Sequence, residues 1–185
     1  MLEAIAREGE GHRAALRGDA VGARVAYGRA IESYRASWEA APPEAYGRLI
    51  GMLKASVLAG AGAEDAAYAR AAISDEAAAS SPAAAYARAI AALATGDDES
   101  AARHAAVMHD GSDAFQRAAA AIEALAARDA GAYRGAVTAV VRDFEARDEH
   151  LTGVAFADTA AMLETLAAPR GLDARVASGL LPPVA

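Results

Sequence analysis

His104, His109, Asp110 and Asp113 fall within one short stretch and carry the acid–base and metal-ligating side chains densest in chemical promise. On a helix, five residues turn through about 500°, so His104 and His109 point about 140° apart. A helical metal pair needs i,i+4 spacing on one face. Ser112 beside His109 and Asp110 has the composition of a nucleophilic triad, but a triad assembles from separated segments rather than one tight turn. Asp148-Glu149-His150 reads as a solvated helix end, where a histidine suits the dipole. His12 reads as a partly buried polar contact. Lys54 is the only lysine, hence the only Schiff-base candidate, and nothing around it in sequence marks it out. Gly60-Ala61-Gly62 lacks the preceding strand, third glycine and lysine of a phosphate loop. With no cysteine in the chain, thiolate chemistry is excluded. The expectation is a non-enzyme with no catalytic, metal or cofactor residues.

The elements that position these residues are expected to be helical throughout. Alanine occupies 58 of 185 positions and has the highest helix propensity, while aromatic and β-branched residues are sparse. Helix one spans about residues 2–17, with Leu2, Ile5, Gly9, His12 and Leu16 on one face. Helix two spans about 20–40, with Ala23, Tyr27, Ala30, Ile31, Tyr34 and Trp38 in the best stripe of the chain. Pro42-Pro43 ends it, and Pro43 suits the first turn of a third helix carrying Leu49, Ile50, Leu53 and Val57. A short alanine helix follows at about 64–73, and residues 74–81 form a linker or an extra turn. Ser81-Pro82 starts the next helix as N-cap and N1. Turns at Thr95-Gly96-Asp97 and Asp110-Gly111-Ser112 separate three further helices, the last near 131–146. Residues 153–168 make one more helix, and 172–185 an extended tail packed on the body.

Gly18-Asp19, Gly62 and Gly96-Asp97 each separate two helical stretches, and Gly62 to Gly96 is 34 residues. The set resembles the tetratricopeptide repeat, which places small residues where helices cross and an aromatic peg in the second helix. Gly11 stands at the small position of the first helix, Gly18-Asp19 at the turn, and Ala23, Tyr27 and Ala30 at the small–aromatic–small set. Ala55 and Ala67, then Ala89 and Ala101, keep the small positions in later units. Arg7, Glu10 and Ala14 replace the Trp, Leu and Tyr of the pattern. The resemblance implies an all-α fold: antiparallel helix pairs in a short, TPR-like, right-handed solenoid over residues 1–150. Residues 151–185 would form a C-terminal capping helix and extended tail.

The resemblance also implies a concave groove lined by the first helix of each unit. Its outward residues would be Ile5, Glu8 and His12, then Leu49 and Met52, then Tyr86 and Ile90, then Phe115 and Ile122. Such a surface lacks the Lys, Arg and Asn of a peptide-carboxylate clamp. It suits an apolar or amphipathic partner helix, or it is filled by the chain's own residues 153–185. A formal charge of −7 argues against nucleic acid and anionic membranes as partners, and no apolar window is long enough to span a bilayer. The start has no signal-peptide pattern, so a cytoplasmic location is the default. The expected function is a protein–protein interaction module, an adaptor or an assembly subunit of bacterial type. The alternatives are a small acidic immunity or inhibitor protein masking a basic partner, and a metal- or ligand-binding protein using the His104–Asp113 region.

Overall fold

A computed structural model describes residues 1–183, which form ten α-helices and no strand. In chain order these are α1 (Leu2–Leu16), α2 (Ala20–Glu39), α3 (Gly47–Leu58), α4 (Ala63–Ala72), α5 (Asp75–Ser80), α6 (Pro82–Ala94), α7 (Asp98–Met108), α8 (Asp113–Ala126), α9 (Ala130–Glu145) and α10 (Asp158–Ala167). A 3₁₀ turn, Ala168–Arg170, follows α10. No helix is long and apolar enough to cross a membrane among the described residues.

Each helix boundary has a local cause. Asp19, Ser74, Ser81, Asp97 and Asp129 accept backbone N–H bonds at helix starts, satisfying donors that the first turn leaves free. Between α1 and α2, the Asp19 N–H donates to the Ala14 carbonyl and the Gly18 N–H to that of Ala15, with Gly18 at φ +73°. This is a Schellman closure, which needs a left-handed residue. Gly96 supplies it between α6 and α7. Arg128 supplies it between α8 and α9, at φ +56°, with the same pair of bonds to Ala124 and Leu125. The turn chemistry therefore recurs where the sequence shows no glycine.

Two boundaries differ from expectation. Pro43 does not open α3, which starts at Gly47. Glu44 adopts φ +68°, a left-handed conformation that cannot continue into a helix, so Pro43 sits in the loop. Within the expected linker or extra turn at 74–81, residues Asp75–Ser80 form the short helix α5. The final helix starts at Asp158 rather than near 153, because 151–157 run as turns and extended chain.

Neighbouring helices pack pairwise. α1 lies along α2, α3 along α2, α6 along α7, and α8 along both α7 and α9. Alanine allows this close approach, and two tyrosines act as pegs on glycines. A Cβ on Gly11 would lie 2.5 Å from the Tyr27 ring, and one on Gly51 would lie 2.6 Å from Tyr34 Cζ. Both rings are buried. The pairs Gly11–Tyr27 and Glu8–Tyr34 fix α1 antiparallel to α2, and Tyr34–Gly51 seats α3 on the other side. α4 is held by Asp65, which accepts from Ser56 Oγ at 2.6 Å and from Arg35 at 2.7 Å.

The C-terminal segment closes the array. α10 packs on α3, α8 and α9. Glu164 on α10 accepts from Tyr133 Oη at 2.9 Å and from the backbone of Ala174 and Arg175. Arg170 donates to Asp98 and to the Leu93 carbonyl, which ties the 3₁₀ turn to the α6–α7 corner. Leu172, Val176, Leu180 and Leu181 pack against the core. The expected stripe of α1 holds in part: Gly9 and His12 are buried, but Leu2 is exposed, Ile5 and Leu16 are half-buried, and the buried face also carries Ala4, Glu8, Gly11 and Ala14. Burial there follows the tyrosine pegs of α2 and not side-chain hydropathy. The tail residues 184–185 lie outside the described residues.

Two substitutions test this packing. Arg128→Gly removes the strain of a side chain in the left-handed region and loses only a surface ion pair with Asp98, so stability rises by about 0.5–1 kcal/mol in chemical denaturation. Gly51→Ala drives a methyl group into the Tyr34 ring and lowers stability by about 2 kcal/mol in the same assay.

Candidate functional site

Glu8 and His12 are one turn apart on α1 and face the same way. Each is only 2% exposed. They line a cavity of about 350 Å³ whose walls come from α1, α3, α6, α8, α9 and residues 150–159. Lys54 enters from α3, Tyr86 from α6, Phe115 from α8 and Phe144 from α9. Phe156, Asp158 and Thr159 complete the wall at the start of α10. Exposed Ser112, Ala114 and Leu151 mark the mouth.

The polar contacts of the cavity run through four elements. Tyr34 Oη donates to Glu8 Oε2 at 2.6 Å. His12 Nδ1 lies 3.1 Å from Thr152 Oγ1, and the imidazole stacks on Phe156 with centroids 4.2 Å apart. Lys54 Nζ donates to Asp158 Oδ2 at 3.1 Å and to Thr159 Oγ1 at 2.8 Å. Gly9 lets residues 150–154 approach α1 this closely, since a Cβ there would lie 3.0 Å from the Thr152 carbonyl oxygen. Three buried polar atoms of the lining have no partner: His12 Nε2, Tyr86 Oη and His150 Nδ1. Buried polar atoms are nearly always satisfied in folded proteins, so three in one cavity form a concentrated exception.

Burial sets the protonation states. It pushes the Glu8 carboxyl up to about 7, with the Asp158 charge adding to the effect and the Tyr34 bond and Lys54 opposing it. Burial pulls His12 down to about 4, which keeps the imidazole neutral. Burial raises Asp158, but Lys54, the nearby His12 and the Thr159 N–H together outweigh it and hold the carboxyl below its ordinary value. Burial lowers Lys54, and Asp158 together with Tyr86 and Glu8 more than offsets it, so the ammonium is held charged. The cavity thus contains a compensated ion pair and, beside it, a buried carboxyl with no cation of its own.

The groove residues expected from sequence divide into two groups. Glu8, His12, Tyr86 and Phe115 do line one cavity. Leu49, Met52, Ile90 and Ile122 are 0% exposed. They belong to the core that α10 joins through Ala160, Met162 and Leu163, and they present no surface to a partner. Ile5 is half-buried against that core and is not part of the lining. The reason is that α10 occupies the space beside α3 and α8, leaving only the end near α1 open. The His104–Asp113 residues also separate. His104 lies with Arg88 and Arg103 in a different hollow, and His109 pairs at the surface with Glu123 at 3.0 Å. No group of three His, Asp or Glu positioned for a metal occurs among the described residues.

Lys54, Tyr34, Asp158, Thr159, Thr152 and Phe156 were not legible as site residues. Their partners lie up to 140 positions away. One signal was present: Glu8 and His12 share a helix face that also carries the small residues of a packed contact. His150, read as part of a solvated helix end, stacks instead on Phe144 and lines the cavity.

Glu8→Gln tests the electrostatics. A carboxyl whose folded value is raised costs stability as pH climbs from about 4.5 to about 7, because the unfolded chain releases its proton first. The amide keeps an acceptor for Tyr34 and has no charge to bury. The variant is therefore more stable than the wild type by about 2 kcal/mol at pH 8, with the gain vanishing near pH 4.5, in urea denaturation at the two pH values. No family model, curated protein or solved structure matches this chain.

Proposed function

We propose that this protein is a non-enzymatic binding module: a TPR-like helical scaffold that uses the cavity beside α1 to hold a small organic molecule. The observation that carries this reading is the set of buried, unpartnered polar atoms, His12 Nε2 and Tyr86 Oη above all, lining an open cavity of about 350 Å³. Ligand sites combine mostly apolar walls with a few convergent polar groups, and Phe115, Phe144, Phe156 and Val154 supply the apolar walls here. The scaffold part of the reading is supported by the succession of packed pairs α1–α2, α6–α7 and α8–α9. The Gly11–Tyr27 contact adds the small residue and aromatic peg that the repeat places at a helix crossing. A small molecule is favoured over a partner helix because most of the apolar residues of the expected groove are already core.

The test compares the wild type with Ala114→Trp, which puts a large ring at the exposed mouth. Ala114 lies in the first turn of α8 and is solvent-facing, so stability changes by no more than about 0.5 kcal/mol. In a fragment screen read by amide NMR shifts, fragments that bind the wild type move the signals of Thr152 and Thr159, and Ala114→Trp removes those shifts. A screen in which no fragment moves them, or in which Ala114→Trp binds equally well, overturns the reading.

A further inference from the structure

Glu8 is a buried carboxyl that lacks a cation. Its Oε2 is taken by the Tyr34 hydroxyl, while Oε1 lies 3.9 Å from His12 Nε2, too far for a hydrogen bond between them. Lys54, the one ammonium in the cavity, is committed to Asp158 and Thr159. Arg147 lines the cavity only at its solvent-exposed rim, where it shares Asp143 with Arg117 and lies over the Phe144 ring. Counting the inner groups, Glu8 and Asp158 against Lys54, the cavity lacks one positive charge when Glu8 is ionised.

His12 Nε2 lies beside this carboxylate and has no partner. In the tautomer whose Nδ1–H donates to Thr152 Oγ1, 3.1 Å away, the neutral imidazole presents Nε2 as an acceptor, and this is the tautomer an ammonium selects. Glu8 Oε1 and His12 Nε2 are then two acceptors 3.9 Å apart lining one cavity. A nitrogen placed about 2.8 Å from each sees them at an angle of about 90°, which two N–H bonds of one ammonium can span. The Tyr86–Phe115 edge pair and the Phe156 ring surround the remaining space. Aromatic faces attract cations and tolerate apolar bodies.

We infer that the cavity recognises a primary or secondary ammonium group on an apolar body, with the ammonium bridging Glu8 Oε1 and His12 Nε2. This rests on the proposal above that the cavity is a ligand site. Binding supplies the missing counter-charge to Glu8 and satisfies His12 Nε2 in one step, and the apolar body lies along Phe115 and Phe156.

The experiment is isothermal titration of the intact protein with three probes of matched shape: 2-phenylethylamine, 2-phenylethanol and 3-phenylpropionate. At pH 8 the amine binds at least about tenfold more tightly than the alcohol, and the propionate does not bind. Glu8→Gln lowers the amine affinity at least about tenfold and leaves the alcohol unchanged, which also shows that the variant is folded. Between pH 8 and pH 6 the amine affinity falls by about tenfold, because a protonated Glu8 must release its proton on binding. The groups facing Glu8 are His12, Tyr27, Tyr34, Lys54 and Asp158, Tyr86 faces Lys54, and Arg147 and His150 line the same cavity, so the pH series is repeated with His150→Gln, which shows the same fall. Across this range His12 stays neutral, the three tyrosines are raised, Lys54 is raised and Asp158 is lowered, so they hold their charge. If the alcohol or the propionate binds as well as the amine, the cavity is a ligand site of another class and the ammonium inference falls. If Glu8→Gln leaves amine affinity unchanged, a bridging water rather than an ammonium fills the gap and the inference falls. If none of the three binds at millimolar concentration and the fragment screen is also silent, both proposals fall together.

Discussion

Lys54 reaches from α3 to Asp158 and Thr159 at the head of α10, joining parts of the chain more than a hundred residues apart. The arrangement of the cavity depends on this contact. It places the first turn of α10 against α3, and with it the 150–157 segment that carries Thr152, Val154 and Phe156 to α1. A pair this deeply placed is costly to form and more costly to break, since removing either charge leaves the other uncompensated in a low-dielectric setting. Thr159 and the backbone N–H of Thr159, which donates to Asp158 at 2.6 Å, supply the extra bonds that make the pair tolerable.

The alanine-rich core explains why polar contacts carry so much positioning. Alanine side chains let helices approach closely but bury little area each and interlock weakly. Register between helices then depends on the few large residues. Tyr27 and Tyr34 meet glycine surfaces on α1 and α3, and Tyr34 goes on to hold Glu8 through its hydroxyl. Tyr133 does the equivalent at the far end by donating to Glu164, which in turn receives the backbone of Ala174 and Arg175. The two tyrosine–glutamate contacts differ in outcome. Glu164 is saturated by backbone donors, whereas Glu8 retains an unfilled oxygen facing the cavity, and that difference separates a structural carboxylate from a candidate binding group.

Helix content, the turn at Gly18-Asp19 and the start at Ser81-Pro82 were legible because each rests on neighbours in sequence: propensity, a side-chain cap, a left-handed residue. The same logic failed at Pro43, where the left-handed Glu44 ends any helix, and at Arg128, where the closing bonds to Ala124 and Leu125 hold a non-glycine residue in the left-handed region. Four of the expected groove residues, Glu8, His12, Tyr86 and Phe115, reach the cavity, and four others are core. Periodicity identifies which residues share a helix face. It does not say whether that face meets solvent, a cavity or another helix.

By itself the sequence determined the all-helical class, the turn at Gly18-Asp19 and the helix start at Ser81-Pro82, because these follow from interactions between residues close in the chain. Only the tertiary structure decided that the single lysine is buried beside Asp158, that α10 fills most of the expected groove, and that Glu8 and His12 line an open cavity in which His12 Nε2 has no partner. Those outcomes depend on where segments distant in sequence come to rest. The desolvation that shifts Glu8 up and His12 down exists only once α2, α3 and the 150–157 segment have excluded water from around them.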